Sequence, residues 1–253
     1  MTLSFDAHPR SSLIVALDFD SLSSAVRFAK QVSDLVGMFK IGNQLFTAAG
    51  PAAVKEVAAV GPGVFLDLKF HDIPNTVAGA VLSAAAMNGV QLVNVHALGG
   101  RAMLEAAVQA ISAGVPMGAD RARLLAVTIL TSMDQKSMRE VGIGGPPKMR
   151  VVKLARLVKE LGVDGVVASV QEARAIRKAC GRDFLIATPG VRPKPKGAEG
   201  SAERKQDDQA RKATPTEAIK AGADFLIVGR PILAAADPRA AAQAIVEEIA
   251  AAK

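Results

Sequence analysis

Three charged residues with short spacing lie in one stretch within the first third of the chain. Asp67, Lys69 and Asp72 belong to the run Asp-Leu-Lys-Phe-His-Asp-Ile-Pro-Asn-Thr, residues 67–76. An ammonium group beside carboxylates can stabilise a developing negative charge and donate a proton. A structural ion pair at the end of a strand would use the same residue types, so this stretch alone leaves both interpretations open.

The residues around this stretch predict how its charges are held. The apolar run 64–66 before Asp67 predicts a buried strand. Residues two apart in a strand share a face, so Asp67 and Lys69 are expected to point the same way. Asp72 lies past the strand and before Pro74, which suits the first turn of a helix. One strand end is therefore expected to gather these charges.

The rest of the chain repeats the pattern of an apolar strand followed by a helix. Eight such units within 253 residues favour an α/β fold, a single-domain (β/α)8 TIM barrel over residues 1–253. A doubly wound open sheet is the alternative, although no Gly-x-Gly-x-x-Gly follows the first predicted strand. The predicted strands are 13–17, 38–42, 64–69, 91–96, 124–130, 165–169, 184–188 and 225–229.

A segment with helical spacing follows each of these strands, but the connection 131–147 and the polar loop from the seventh strand to about residue 213 lack such spacing. The connection 131–147 contains Gly and Pro and is expected to lack regular structure. The predicted helices are 21–34, 44–60 with an interruption at Gly50-Pro51, 74–88, 100–113, 148–161, 171–180, 216–221 and 238–253.

Polar residues and one glycine gather at the carboxyl ends of the predicted strands. In a barrel the carboxyl ends of the strands converge on one face, where active sites lie. Capping or solvation could explain one such residue, but hardly so many at matching positions. They are Asp18, Lys40, Asp67, Lys69, Asn94, His96, Thr131, Ser132, Thr188, Gly229 and Arg230.

The end of the eighth predicted strand favours an anion site. Gly229 allows close approach of the backbone to a ligand, Arg230 supplies a guanidinium group, and a helix is expected to begin near Pro231. A glycine turn with a surface arginine is the plain alternative. The polar segment 192–211 lies between the seventh and eighth strands and is expected to close over a bound phosphate.

Composition limits the class of ligand and the compartment. A net charge of +7 without Trp or Tyr favours a small anionic ligand over nucleic acid, although a basic surface without function is equally compatible. The lone Cys180 predicts a reducing compartment, and a cytoplasmic location is expected. Residues 1–10 have no signal-peptide pattern, and no apolar run is long enough to span a membrane.

Metal binding has little support in the motifs. Paired cysteines, His-x-His and His-Glu-x-x-His are all missing from the sequence, which argues against structural zinc. A divalent ion held by Asp18, Asp67 and His96 is the one arrangement that strand-end positions allow, and we expect no metal.

The motifs together resemble the orotidine 5′-phosphate decarboxylase family. Residues 67–76 carry the most specific similarity, because related barrel enzymes share Asp-x-Lys-x-x-Asp without the Ile-Pro-Asn-Thr continuation. The similarity covers nearly the whole chain. Its other segments, in the family's order, are 16–18, 39–42, 93–96, 126–132, 188–192 and 228–230.

The resemblance implies an enzyme that converts orotidine 5′-monophosphate to uridine 5′-monophosphate and CO2 in de novo pyrimidine synthesis, without cofactor or metal. It also implies a homodimer with shared active sites and no nucleic-acid or membrane partner. Lys69 corresponds to the proton donor, flanked by Asp67 and by the other subunit's Asp72, and Lys40 completes the charge array and binds ribose. The implied substrate contacts are Asp18, Lys40, Asp67, Ile73, Thr76, Thr131, Ser132, Arg192, Gln209, Gly229 and Arg230.

Two rival functions use the same features. A metal-dependent sugar-phosphate lyase or epimerase on the same barrel would also carry Asp-x-Lys-x-x-Asp. A catalytically silent nucleotide sensor would keep the phosphate contacts, but it has no need for the proton donor Lys69.

Overall fold

The strands of this protein form a closed barrel, seen in a computed structural model that describes residues 8–113, 121–193 and 213–253. Each strand pairs in parallel with the next along the chain, and the eighth pairs with the first. The predicted TIM barrel is thereby confirmed. The strands are β1 (Leu13–Ala16), β2 (Met38–Gly42), β3 (Gly63–Phe70), β4 (Val90–His96), β5 (Arg123–Val127), β6 (Gly165–Val167), β7 (Leu185–Pro189) and β8 (Phe225–Val228).

Helices connect the strands and cover the outside of the barrel. Three short 3-10 turns accompany them at Pro9–Ser12, Ser33–Leu35 and Ala97–Gly99. Across the described ranges, no helix has the length and apolar character needed to cross a bilayer. The helices are α1 (Leu22–Val32), α2 (Asn43–Ala49), α3 (Pro51–Ala58), α4 (Pro74–Ala85), α5 (Gly100–Ala113), α6 (Gln135–Glu140), α7 (Pro147–Glu160), α8 (Val170–Cys180), α9 (Pro215–Lys220), α10 (Arg230–Leu233) and α11 (Pro238–Ala252).

The segment after β5 differs from the sequence prediction. β5 ends at Val127 rather than at residue 130, and the connection 131–147 contains the helix α6. The Asp134 carboxylate caps this helix by accepting the Ser137 backbone N–H at 2.8 Å. Met138 is the one apolar residue of this helix, so no periodic apolar pattern marks it in the sequence.

The barrel has two apolar layers because strand residues alternate in direction. The inner layer fills the barrel with side chains such as Ile14, Met38, Phe65 and Leu92, whereas their neighbours, Val93 among them, pack outward against the helices. The next inward positions towards the strand ends are Ala16, Lys40, Asp67 and Asn94. Apolar packing therefore forms the floor beneath a polar rim.

The amino end of β8 is tied to β7 and α8 by one arginine. The Arg177 guanidinium contacts the Asp224 carboxylate at 2.7 Å and donates to the carbonyls of Gly181, Arg182, Phe184 and Gly222. Asp224 also accepts the Ile186 backbone N–H at 2.7 Å. Burial raises the Asp224 pKa, and the positive charge of Arg177 opposes that shift.

We expect Arg177→Ala to destabilise the fold by about 2–4 kcal/mol, because it leaves a partly buried carboxylate and several carbonyls without their donor. Chemical denaturation monitored by circular dichroism measures this change. Arg174→Ala is the matched control, since it removes an arginine that is exposed on the same helix. Equal unfolding midpoints for the two variants would contradict the assignment of Arg177 as a structural tie.

Candidate active site

Strands β1, β2 and β3 bring four charged side chains into one row. The Lys40 Nζ lies 3.3 Å from Asp18 Oδ1 and 3.3 Å from Asp67 Oδ2. The Lys69 Nζ lies 2.7 Å from Asp67 Oδ1. The charges therefore alternate in sign from Asp18 through Lys40 and Asp67 to Lys69, so that each charged group has a neighbour of opposite charge.

Asp67 is the most enclosed carboxylate of this row. It is 7% exposed, and its Oδ1 accepts both the Lys69 ammonium at 2.7 Å and the Asn94 side-chain amide at 2.7 Å. Its Oδ2 faces Lys40. Two ammonium groups and an amide thus compensate a carboxylate that would be costly to bury alone.

The backbone of β3 is irregular at Lys69. Lys69 has a φ of 53°, and it is the only non-glycine residue with a positive φ in the described part of the chain. The pairing with β4 shifts between Leu66 and Phe70, which lie opposite Val93 and Val95. The prediction that Asp67 and Lys69 share a face assumed a regular strand, and β3 is not regular here. The two side chains are nevertheless in contact. A left-handed lysine costs roughly 1–3 kcal/mol and is typical of functional sites.

A cavity of about 270 Å³ opens beside this row at the carboxyl ends of the strands. Four of its lining side chains are cationic and two are carboxylates, which favours an anionic ligand. The lining brings together β1–β3 with the ends of β7 and β8, as the barrel predicted. Eight predicted site residues line it: Asp18, Lys40, Asp67, Lys69, Thr131, Arg192, Gly229 and Arg230.

Other predicted site residues lie elsewhere. Asp72, Ile73 and Thr76 are exposed and do not line the cavity of their own chain, and Ile73 is 67% exposed. Asp72 was expected in the first turn of α4, but it precedes the helix, because Ile73 is the N-cap residue. The Asp72 carboxylate accepts the backbone N–H of Ile73. Ser132 is also exposed and outside the lining. Gln209 lies outside the described residues, as does most of the segment 192–211.

Two residues near the row were not predicted as part of the site. Asn94 was noted only as a polar strand-end residue, yet its side chain contacts both Asp67 and the backbone of Lys69. Gly42 leaves room for Lys40, since a Cβ at this position would lie 2.8 Å from the lysine Nζ. Strand alternation from Leu92 could have placed Asn94 inward beside Asp67, whereas the Gly42 contact has no sequence signal.

A pair of histidines adjoins the lysine end of the row. The rings of His71 and His96 stack with centroids 5.2 Å apart, and His96 Nδ1 accepts the Leu98 backbone N–H at 3.4 Å. Burial lowers the His96 pKa from 6.5 to about 4, and the electrostatic effects of His71 and Lys69 act in the same direction. His96 is therefore neutral at physiological pH.

The lowered His96 pKa predicts a loss of stability in acid. Between pH 6.5 and about 4 the unfolded chain binds a proton at His96 that the native protein excludes, so stability decreases as the pH falls through this window. We expect His96→Gln to show a shallower decrease in Tm with falling pH than the unmodified protein. Thermal denaturation across this range is the measurement.

His8→Gln serves as the control for this series, because it removes an exposed histidine remote from the stack. The Tm curve of that variant should run parallel to that of the unmodified protein, offset by the loss of the contact between His8 Nδ1 and the Arg10 backbone N–H. If the Tm curves of His96→Gln and the unmodified protein were parallel, His96 would not be the source of the pH dependence of stability.

The carboxylates of the site are not arranged as a metal cage. Across the described ranges, no group of three or more His, Cys, Asp and Glu side chains is suited to holding a metal ion. Asp18, Asp67 and His96, the set that the sequence left possible, do not form such a group. Lysine and amide contacts engage both oxygens of Asp67.

Comparison with known proteins places the whole barrel in one family. A curated orotidine 5′-phosphate decarboxylase of Geotalea daltonii is 53% identical, covering 96% of this chain and 97% of that protein. The corresponding protein of Trichlorobacter lovleyi is 54% identical over 96% of each chain. The crystal structure of orotidine 5′-phosphate decarboxylase from Lactobacillus acidophilus superposes with a TM-score of 0.80 at 38% identity, covering 94% of this chain and 98% of that one. The family model for the orotidine 5′-phosphate decarboxylase / HUMPS family matches residues 11–245, and this chain belongs to that family.

Proposed function

We propose that this protein decarboxylates orotidine 5′-monophosphate to uridine 5′-monophosphate and CO2 in de novo pyrimidine biosynthesis. The observation that carries the proposal is the row Asp18–Lys40–Asp67–Lys69, which lines a cation-rich cavity at the mouth of the barrel. The two curated relatives, 53% and 54% identical to this chain, are both named orotidine 5′-phosphate decarboxylase. The reaction is that of a carboxy-lyase.

The row suits the chemistry at the pyrimidine ring. When the bond to the carboxylate carbon breaks, CO2 leaves and its electron pair remains on the ring carbon. The Lys69 ammonium stabilises this developing negative charge and then transfers a proton to the same carbon, forming the new C–H bond. Asp67 holds Lys69 in place through the 2.7 Å contact, and Lys40 keeps the opposite side of Asp67 compensated.

The remaining cavity residues suit the ribose and the phosphate. Asp18 and Lys40 offer an acceptor and a donor for ribose hydroxyls, and Thr131 offers a hydroxyl for the pyrimidine. Arg192, Gly229 and Arg230 offer two guanidinium groups and an unhindered backbone for the phosphate. We assign Gln209 and Ser132 to substrate contacts by resemblance only, and segment 192–211 to closure over the phosphate.

We further propose a homodimer in which each cavity is completed by the partner. Asp72, Ile73 and Thr76 are three predicted contacts that do not line the cavity of their own chain, and all three are exposed at the start of α4. A second copy placed against this edge would bury Ile73 and bring Asp72 towards the partner's row. We expect the enzyme to act in the cytoplasm, where the lone Cys180 stays reduced.

The rival metal-dependent lyase or epimerase is not supported. The named relatives are decarboxylases, and Asp67 is engaged by lysine and amide groups rather than aligned with other metal ligands. The silent sensor leaves Lys69 and its strained backbone without a purpose. The decarboxylase accounts for both the charge row and the cavity.

The first test mixes purified protein with orotidine 5′-monophosphate in excess chelator and follows the absorbance change of the pyrimidine. We expect conversion by the unmodified protein, and a decrease in kcat of at least about 1,000-fold for Lys69→Ala, because that variant lacks the proton donor and the stabilising charge. Calorimetry should still detect uridine 5′-monophosphate binding to Lys69→Ala.

Lys55→Ala is the matched control, since Lys55 is an exposed lysine on α3 outside the cavity lining. Full activity of Lys69→Ala would contradict the mechanism. Nucleotide binding without turnover by the unmodified protein would favour the sensor, and turnover of a sugar phosphate only with added divalent metal would favour the lyase.

The shared site is tested by mixing two inactive variants, Asp72→Asn and Lys69→Ala. A hybrid dimer would hold one site with Lys69 from one subunit and Asp72 from the other, so random exchange should restore about one quarter of the unmodified activity. The double variant mixed with either single variant should stay inactive. Absence of recovery, with subunit exchange demonstrated by native mass spectrometry, would contradict a site built across the interface.

A further inference from the structure

A buried amide lies directly behind the lysine end of the charge row. Asn94 is fully buried on β4 and points into the barrel above Leu92. Its Nδ2 donates to Asp67 Oδ1 at 2.7 Å, and its Oδ1 accepts the Lys69 backbone N–H at 2.8 Å. One side chain therefore contacts the side chain of one predicted catalytic residue and the backbone of the other.

The Lys69 contact satisfies a need created by the strand irregularity. Between Leu66 and Phe70 the register of β3 shifts relative to β4, where Val93 and Val95 are the partners. A backbone N–H displaced from its ladder still requires an acceptor when it is enclosed. Asn94 supplies that acceptor, and in doing so it holds Lys69 in the left-handed conformation that its φ of 53° records.

The Asp67 contact fixes the orientation of the amide and of the carboxylate together. With Oδ1 occupied by the Lys69 N–H, only the Nδ2 group is left to face Asp67, and a carboxylate accepts that donor. If the Asn94 amide were rotated by 180°, its Oδ1 would face the Asp67 carboxylate and its Nδ2 would face the Lys69 N–H, so neither hydrogen bond could form. The same Asp67 oxygen contacts the Lys69 ammonium at 2.7 Å. Asn94 therefore restrains the carboxylate of one residue of that ion pair and the backbone of the other.

We propose that Asn94 is a positioning residue for the decarboxylation, which holds Asp67 and the backbone of Lys69 so that the lysine ammonium points at the reacting carbon. This inference rests on the proposed function, because turnover of orotidine 5′-monophosphate is its readout. Asn94 itself makes no contact with substrate in this assignment. Its effect is on the alignment of Lys69, where an error of about 1 Å can cost roughly 100-fold in rate.

The experiment compares Asn94→Ala, Asn94→Asp and Val93→Ala with the unmodified protein. We expect Asn94→Ala to lower kcat by about 10–100-fold while KM and the Kd of uridine 5′-monophosphate change by less than about threefold, because alignment is lost and the ligand contacts remain. Val93→Ala is the matched control. Val93 is equally buried on the same strand but faces the outer core, so its loss of packing should lower Tm and leave kcat unchanged.

Asn94→Asp separates the two contacts and preserves side-chain size in case the alanine variant does not fold. The aspartate can still accept the Lys69 N–H, but it places a second carboxylate against Asp67. We expect its kcat to be at least as low as that of Asn94→Ala.

Unmodified kcat in either Asn94 variant, or a decrease in kcat for Val93→Ala that matches that of Asn94→Ala, would overturn the positioning role. Lack of turnover by the unmodified protein would defeat the proposed function instead, so the two failures are distinguishable.

Discussion

The enclosed carboxylate of Asp67 is the constraint on which the top of the barrel depends. An ionised group that is 7% exposed needs positive charge and hydrogen-bond donors close by. Those partners come from three adjacent strands, because Lys40 lies on β2, Lys69 on β3 and Asn94 on β4. The pairing of these strands and the compensation of Asp67 therefore support each other. A substitution that removes one partner leaves charge or hydrogen-bonding capacity uncompensated at the centre of the row.

The same arrangement prepares the cavity before a ligand arrives. Both ammonium groups are already held against Asp67, so the proposed mechanism needs little reorganisation when negative charge develops near Lys69. The strained backbone at Lys69 belongs to this preparation, because the surrounding hydrogen bonds maintain a conformation that an isolated lysine would avoid. Favourable interactions elsewhere in the fold thus offset the cost of the strained backbone that positions Lys69.

Sequence reasoning found the barrel and most of the cavity because both follow from local patterns. Apolar strands with polar ends predict the convergence of Asp18, Lys40 and Asp67 without any long-range information. The left-handed Lys69 could not be predicted, since it arises from a register shift between β3 and β4 that strict alternation excludes. The helix α6 was not predicted because Met138 is its one apolar residue. The expected roles of Asp72, Ile73 and Thr76 depend on a second subunit, and Gln209 lies outside the described residues.

The apolar floor of the barrel closes one side of the cavity. Ile14, Phe65 and Leu92 are completely buried beneath the charge row, and Met38 is 1% exposed, so side chains fill the interior on the side away from the strand ends. A ligand of the cavity therefore enters and leaves at the carboxyl ends of the strands, past the charge row, since packed side chains close the interior behind it. Under the proposed function, both products of the reaction leave on that side.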